Sequence, residues 1–278
     1  MATTTRGGAA APVGKHGEET RTVGGLQLQV LSGGQGETLL VLHDQEYYNE
    51  WQPFEAALAA QYSVLVPSHP GYGASAFPPH FETIDDLAYV YLDLLRELAP
   101  GPINVVGMGV GGWIAAEVAV RCTHGMGRLV LVDAVGVKVS GVTERDIADN
   151  FVISPKEFLQ IAWHDAEAGA NVMKLAGLTT LGEAELTTVL RNRQTTAILT
   201  WKPFMHNPAL RRRLARINVP TLVLWGESDR IVTPAYGRAY TEAIPGARFQ
   251  SIPAAGHYPY LEQPEAFVAA VSGFLRKD

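Results

Sequence analysis

Short apolar runs alternate along the chain with stretches in which apolar residues recur every three or four positions. Residues 26–31 predict a strand. Residues 38–42 and 62–67 predict continuous apolar strands of the kind covered on both faces. Over 83–98, Leu87, Val90, Tyr91, Leu94 and Leu95 share one helical face, and Asp85 and Asp86 favour the helix N-terminus. A strand at 103–106, a helix at 111–120 and a strand at 129–132 follow. This alternation predicts an α/β fold with a doubly wound, mostly parallel sheet.

The rhythm breaks over 139–217, where only helical segments such as 155–162 and 183–199 are legible. It resumes with a strand at 221–225, a helix through 236–243, a strand at 247–252 and a helix at 264–275. The organisation expected is one α/β core, 21–138 and 218–278, interrupted by a helical insertion at 139–217. Residues 1–20 read as a disordered tail, because they lack the apolar middle of a signal peptide.

Composition narrows the functional classes. Of 278 residues, 47% are hydrophobic and 18% charged, which suits a globular core. The net charge of −6 offers no electrostatic footprint for nucleic acid, and Arg211, Arg212 and Arg213 read as a solvated helix end. No run approaches the ~18 apolar residues of a membrane span. The single Cys122 excludes an intramolecular disulfide and reads as a small core residue. A cytoplasmic protein acting on a small-molecule substrate is expected, with no nucleic-acid or membrane partner and self-association into a homodimer left open.

The candidate chemistry lies in three segments. Residues 103–113 read I-N-V-V-G-M-G-V-G-G-W, a strand running into a helix through Gly107, Gly109 and Gly112. Asp229 lies in W-G-E-S-D-R-I-V-T-P and His257 in A-A-G-H-Y-P-Y. One reading of the first segment is the G-x-G-x-x-G dinucleotide fingerprint, with Asp133 at the end of the next strand as the ribose acid. That reading leaves Asp229 and His257 without a role. A segment 40–45, L-V-L-H-D-Q, and the turn His69-Pro70-Gly71-Tyr72-Gly73 complete the set.

In order and spacing these segments resemble the α/β-hydrolase superfamily, over essentially 23–277, and the helical insertion resembles that family's cap. The resemblance implies a nucleophile elbow, Gly-x-Ser-x-Gly-Gly, at 107–112, where this chain has Gly109 in the serine's place. It implies His257 as a base oriented by Asp229. It also implies an oxyanion-hole N–H from the loop after the third strand, where the usual glycine is Asp44 here, a carboxylate that would repel a developing oxyanion and is a candidate to position a polar substrate group or serve as a second acid/base. His43, Gln45, Met108, Val110 and Trp113 are then expected around the oxyanion hole and pocket. Trp201 is expected in a lid above it, Tyr47, Tyr48 and Trp51 are further pocket candidates, and His69 is read as structural. His257 should face Gly109 across a cleft.

The function expected is an enzyme using the His257–Asp229 dyad as general base on a small, largely apolar carbonyl-type substrate, without a serine nucleophile, cofactor or metal. Lyase, C–C cleavage and cyclisation chemistry all fit. The alternatives are an ordinary ester or C–C hydrolase whose serine has been exchanged for glycine, and a non-catalytic ligand-binding homologue.

Overall fold

A computed structural model describes residues 16–46, 50–98, 101–141, 143–172 and 181–276. An eight-stranded sheet in the order β1-β2-β4-β3-β5-β6-β7-β8 forms the centre. Its strands are β1 His16–Val23, β2 Leu26–Gly33, β3 Thr38–Leu42, β4 Ser63–Pro67, β5 Ile103–Met108, β6 Met126–Val132, β7 Thr221–Gly226 and β8 Arg248–Ile252. The β1–β2 and β2–β4 pairs are antiparallel and all others are parallel. Every residue of β5 and β7 is buried. That burial explains their unbroken apolar runs, since helices cover both sheet faces.

The helices α1 Pro53–Ala59, α2 Ile84–Glu97, α3 Val110–Arg121, α8 Pro234–Ala243, α9 Pro259–Glu262 and α10 Pro264–Leu275 belong to the α/β part. Helix α2 buries all five residues that shared its apolar face, and Thr83 and Asp86 form a capping box at its start. Between β6 and β7 lie α4 Pro155–Ala162, α5 Ala166–Val172, α6 Glu183–Thr200 and α7 Leu210–Arg213. Helix α4 begins where Ser154 Oγ accepts the Glu157 N–H at 3.2 Å and Glu157 accepts the Ser154 N–H at 2.9 Å. The pattern signal for α4 and α10 matches their observed bounds, because Pro at N1 marks each start sharply.

Three expectations change. Residues 16–20 are not tail but the outer part of β1, paired in full with β2. Their polar, exposed side chains carried no hydrophobic signal, as suits an edge strand. Residues 1–15 lie outside the described residues. Cys122 is exposed, because α3 ends at Arg121 and the chain turns outward there. Helices α1, α5, α7 and α9 are too short, at four to seven residues each, to show a helical period.

The insertion is fastened to the core by polar contacts. Helix α6 presents Asn192, Thr195 and Thr196 to the 69–73 turn. Thr195 Oγ1 donates to the Gly71 carbonyl at 3.0 Å, Asn192 Oδ1 accepts the Gly73 N–H at 3.0 Å, and the Tyr72 and Thr196 hydroxyls lie 2.6 Å apart. Arg191 adds bonds to the Gly73 and Ser75 carbonyls. Because α6 docks through polar side chains, it carries no clean apolar stripe.

Close approach of α3 to β3 sets the position of everything after β5. A Cβ on Gly111 would overlap the carbonyl oxygens of Leu42 and His43. Gly111→Ala is therefore expected to destabilise the fold by at least ~1–3 kcal/mol in urea unfolding, since backbone must move. Cys122→Ser, at an exposed position, should stay within about 0.5 kcal/mol of the parent.

Candidate active site

The residues singled out in the sequence converge at the carboxyl ends of the parallel strands, where loops of an open α/β sheet build sites. Gly109 follows β5 with φ 50° and ψ −113°, a strained conformation for any residue with a Cβ. Its N–H donates to the Val132 carbonyl at 2.9 Å, and its own carbonyl accepts from Trp113 and Val135. The elbow geometry is thus present with glycine at its apex.

Asp44 fills the space above that apex. Its Oδ1 accepts the Val110 N–H at 2.8 Å, and a Cβ built on residue 109 would overlap Oδ1 and the carboxyl carbon. The carboxylate sits where a side chain on residue 109 would stand and takes the amide that follows the apex.

Asp44 Oδ2 makes no hydrogen bond among the described residues and lies 3.5 Å from His257 Nε2. The other ring nitrogen, Nδ1, donates to Asp229 Oδ2 at 2.8 Å. Asp229 Oδ1 in turn accepts the N–H groups of Ile231 and Val232 at 2.8 and 3.1 Å, which fixes the carboxylate. All three side chains are buried. Burial alone would strip the proton from His257, but the Asp229 and Asp44 carboxylates outweigh it and hold the ring's pKa well above the ordinary value. The ring's Nε2 faces the Asp44 carboxylate, which itself lies over Gly109.

Asp133, with φ 43° and fully buried, completes the cluster. Its Oδ1 accepts the Gly226 N–H at 2.9 Å. Burial first, and the Asp229 charge next, raise its pKa well above the carboxylate range, so it is held neutral. Ligand atoms of Asp133, Asp229 and His257 fall within 4.8 Å of one another. Asp229 and His257 are already engaged with each other, so the cluster reads as a proton-sharing group.

The loop carrying Asp44 is held by a neutral pair of stacked rings, His43 and His69, with centroids 3.8 Å apart. His43 Nδ1 bonds to the Asp44 carbonyl at 2.7 Å and Nε2 accepts the His69 N–H at 3.0 Å. His69 Nε2 donates to the His43 carbonyl at 2.9 Å, and the Tyr91 hydroxyl meets Nδ1. Desolvation depresses both pKa values, that of His69 to about 4. His69 is structural as read, while His43 braces Asp44 from behind.

The cap reaches the site through its first helix. The last carbonyls of α4, orphaned at a helix end, accept backbone N–H groups from the loops that carry Asp229 and His257: Ala162 from His257 at 2.6 Å and Ile161 from Arg230 at 3.1 Å. Glu262 accepts the Gly256 N–H at 2.6 Å beside them.

Other expected pocket residues are dispersed. Gln45 and Met108 are buried next to Asp44 and Gly109 in sequence. Trp113 turns away from the elbow, its Nε1 donating to Glu117 at 3.2 Å, because α3 buries it against Gly136. Trp201 is not a lid: it is 49% exposed and packs edge-on against Phe151 and Phe204 on the cap surface. Trp51 is buried and stacked on His16 of β1. Tyr47 and Tyr48 lie outside the described residues. The sequence reading missed Glu46, whose carboxyl burial pushes up to about 7 against the Arg193 charge. Its only signal was its place two residues after Asp44.

The sequence model of the alpha/beta hydrolase family matches residues 34–270. The chain belongs to that family. It is 27% identical over 274 residues to a pimeloyl-[acyl-carrier protein] methyl ester esterase of Chromobacterium violaceum, covering 90% of this chain and 98% of the esterase. It is 26% identical over 280 residues to an uncharacterized protein of Mycobacterium tuberculosis, covering 92% and 80%. A serine hydrolase from the polyaromatic hydrocarbon-degrading bacterium Cycloclasticus zankles superposes with a TM-score of 0.77 at 17% identity, covering 95% of this chain and all of that one. Among the described residues no helix is long and apolar enough to cross a membrane. The dinucleotide reading of 107–112 falls away, since Asp44 and not a pyrophosphate site lies against the elbow amide.

The charge on His257 gives a direct test. Because its folded pKa is raised above the unfolded value of about 6.5, its stabilising contribution is complete below that value. The contribution is lost as pH rises through the folded pKa. Nitrogen-15 NMR of the ring should show an imidazolium at pH 7.5, and Asp44→Asn should move the titration downward. A neutral ring at pH 7.5 would contradict the arrangement.

Proposed function

We propose that this protein is an enzyme of the alpha/beta hydrolase family that works by proton transfer through Asp44, His257 and Asp229 on a small, largely apolar carbonyl-type substrate. The observation that carries this is the seat of Asp44: its carboxylate takes both the space of an elbow side chain and the amide that would stabilise an acyl-transfer oxyanion. With that donor occupied, an acyl-serine route has neither nucleophile nor hole.

The resting pair holds a base and an acid side by side. Asp44 Oδ2, free of hydrogen bonds, takes a proton from a substrate C–H or O–H, and the His257 imidazolium protonates the departing or rearranging group. The proton on Asp44 then passes to His257 Nε2, restoring carboxylate and imidazolium. Asp229 keeps the ring charged and oriented throughout. Lyase and C–C cleavage chemistry fit this cycle. The sequence-based role of His257 as resting base is replaced by that of acid and relay, since its two carboxylate neighbours keep it protonated.

A serine hydrolase altered at one position is the second reading, and the same contact weighs against it. A side chain at 109 and Asp44 as placed exclude each other, so the two residues form a matched pair.

Two outcomes follow. Gly109→Ser alone should unfold more readily and fail to hydrolyse nitrophenyl acetate at rates typical of serine esterases. The double variant Gly109→Ser with Asp44→Gly should gain that activity, because it frees both the space and the Val110 amide. Efficient hydrolysis by the single variant would refute the pairing. On the natural substrate, identified by co-purification and mass spectrometry, Asp44→Asn and His257→Ala should each lower kcat by about 10²–10⁴-fold while changing binding far less. Unchanged kcat in Asp44→Asn would remove it from the chemistry.

A further inference from the structure

We infer that the cavity between the loop after β3 and the cap is a carboxylate-reading subsite, in which Arg193 binds the acid group of a short-chain substrate and Glu46 competes for the same guanidinium. The cavity measures about 80 Å³ and brings together Glu46, Asn150 and Arg193 with the apolar side chains of Ile153, Phe158 and Leu159. That is room for several water-sized groups and no large body. Glu46 lies two residues from Asp44, and the charges of Asp44 and His257 both act on its carboxyl, so the cavity adjoins the proposed proton-transfer groups.

The polar members are incomplete without a ligand. Asn150 is buried, and its Oδ1 has no hydrogen-bond partner among the described residues. Leaving such a group unsatisfied costs about 1–3 kcal/mol. Oxygen and nitrogen of that amide are interchangeable in assignment, so turned over it donates an N–H to one carboxylate oxygen while Arg193 takes the other. An Arg fork suits a planar carboxylate better than a hydroxyl or a neutral amide. The apolar wall admits a short alkyl or alkenyl stem.

Glu46 supplies a pH gate. Arg193 from α6, Asp44 on its own loop and His257 from the loop after β8 are the charged groups that act on it. Asp229 and Asp44 raise the His257 pKa well above the ordinary value, so the gate is set by Glu46 itself. Burial holds that carboxyl near neutral titration, at about 7. Below that pH Glu46 is uncharged and Arg193 is available to an external carboxylate. Above it, Glu46 neutralises Arg193 and repels the ligand.

The inference rests on the proposed function only for what the bound acid is for, and its test is a binding measurement. Butyrate, butyramide and 1-butanol serve as probes in calorimetric or NMR titrations at pH 6 and pH 8. Butyrate, ionised at both, should bind about tenfold more tightly at pH 6, following the change in uncharged Glu46. The neutral probes should bind weakly and equally at both. Glu46→Gln should make butyrate binding tight and independent of pH. Arg193→Met should abolish it while the unfolding curve stays that of the parent. Butyrate no better than butanol, a flat pH dependence in the unmodified protein, or full binding by Arg193→Met would each overturn the subsite. A protein that binds butyrate as described but shows no loss of kcat in Asp44→Asn overturns the proposed chemistry and leaves the subsite standing.

Discussion

One contact organises the functional end of this molecule: the Asp44 carboxylate seated on the Val110 N–H over a residue with no side chain. Gly109 permits it, since only a glycine leaves that volume open while holding a positive φ without strain. The helix N-terminus beneath it favours it, because α3 begins at Val110 and presents unpaired amides to a negative charge. With Asp44 there, the Val110 amide is taken and His257 has a second carboxylate neighbour besides Asp229, which raises the ring's pKa. A single substitution at 109 thus has consequences for hole, base and protonation state together.

The surrounding structure exists largely to hold that carboxylate and imidazolium in register. Behind Asp44, two neutral histidines, His43 and His69, form a stacked brace whose bonds run into the main chain on both sides. Behind His257, Asp229 is pinned by two amides of its own loop. The buried carboxyl of Asp133 stays neutral, which avoids a third uncompensated negative charge. Burial works in opposite senses on these groups. It discharges His43 and His69, while at His257 it is overcome because two anions lie in contact.

The cap is tied to this centre through main-chain groups and short polar side chains, beside apolar residues such as Phe158, Trp163 and Leu199 that join the main core. The C-terminal carbonyls of α4 hold the loops of Asp229 and His257, and α6 clasps the Gly71–Gly73 segment. Such contacts fix orientation without forming a continuous second core, and they leave the small cavity lined by Glu46, Asn150 and Arg193 at the seam.

The sequence by itself determined the sheet, the order of its elements and the identity of the family. Buried parallel strands must be apolar throughout, and prolines and caps punctuate the helices. It also named Gly109, Asp44, Asp229 and His257, because turns at strand ends demand particular residues at fixed offsets. It did not reveal β1, whose exposed edge has no hydrophobic period, nor that Trp113 is buried against Gly136 while Trp201 is exposed, since an aromatic residue suits a wall or a lid equally until its neighbours are known. Only the tertiary structure decided that the Asp44 carboxylate takes the Val110 amide and that its other oxygen lies against the His257 ring. Both depend on distances of about 3 Å between loops separated by many tens of residues, and no local pattern along the chain encodes them.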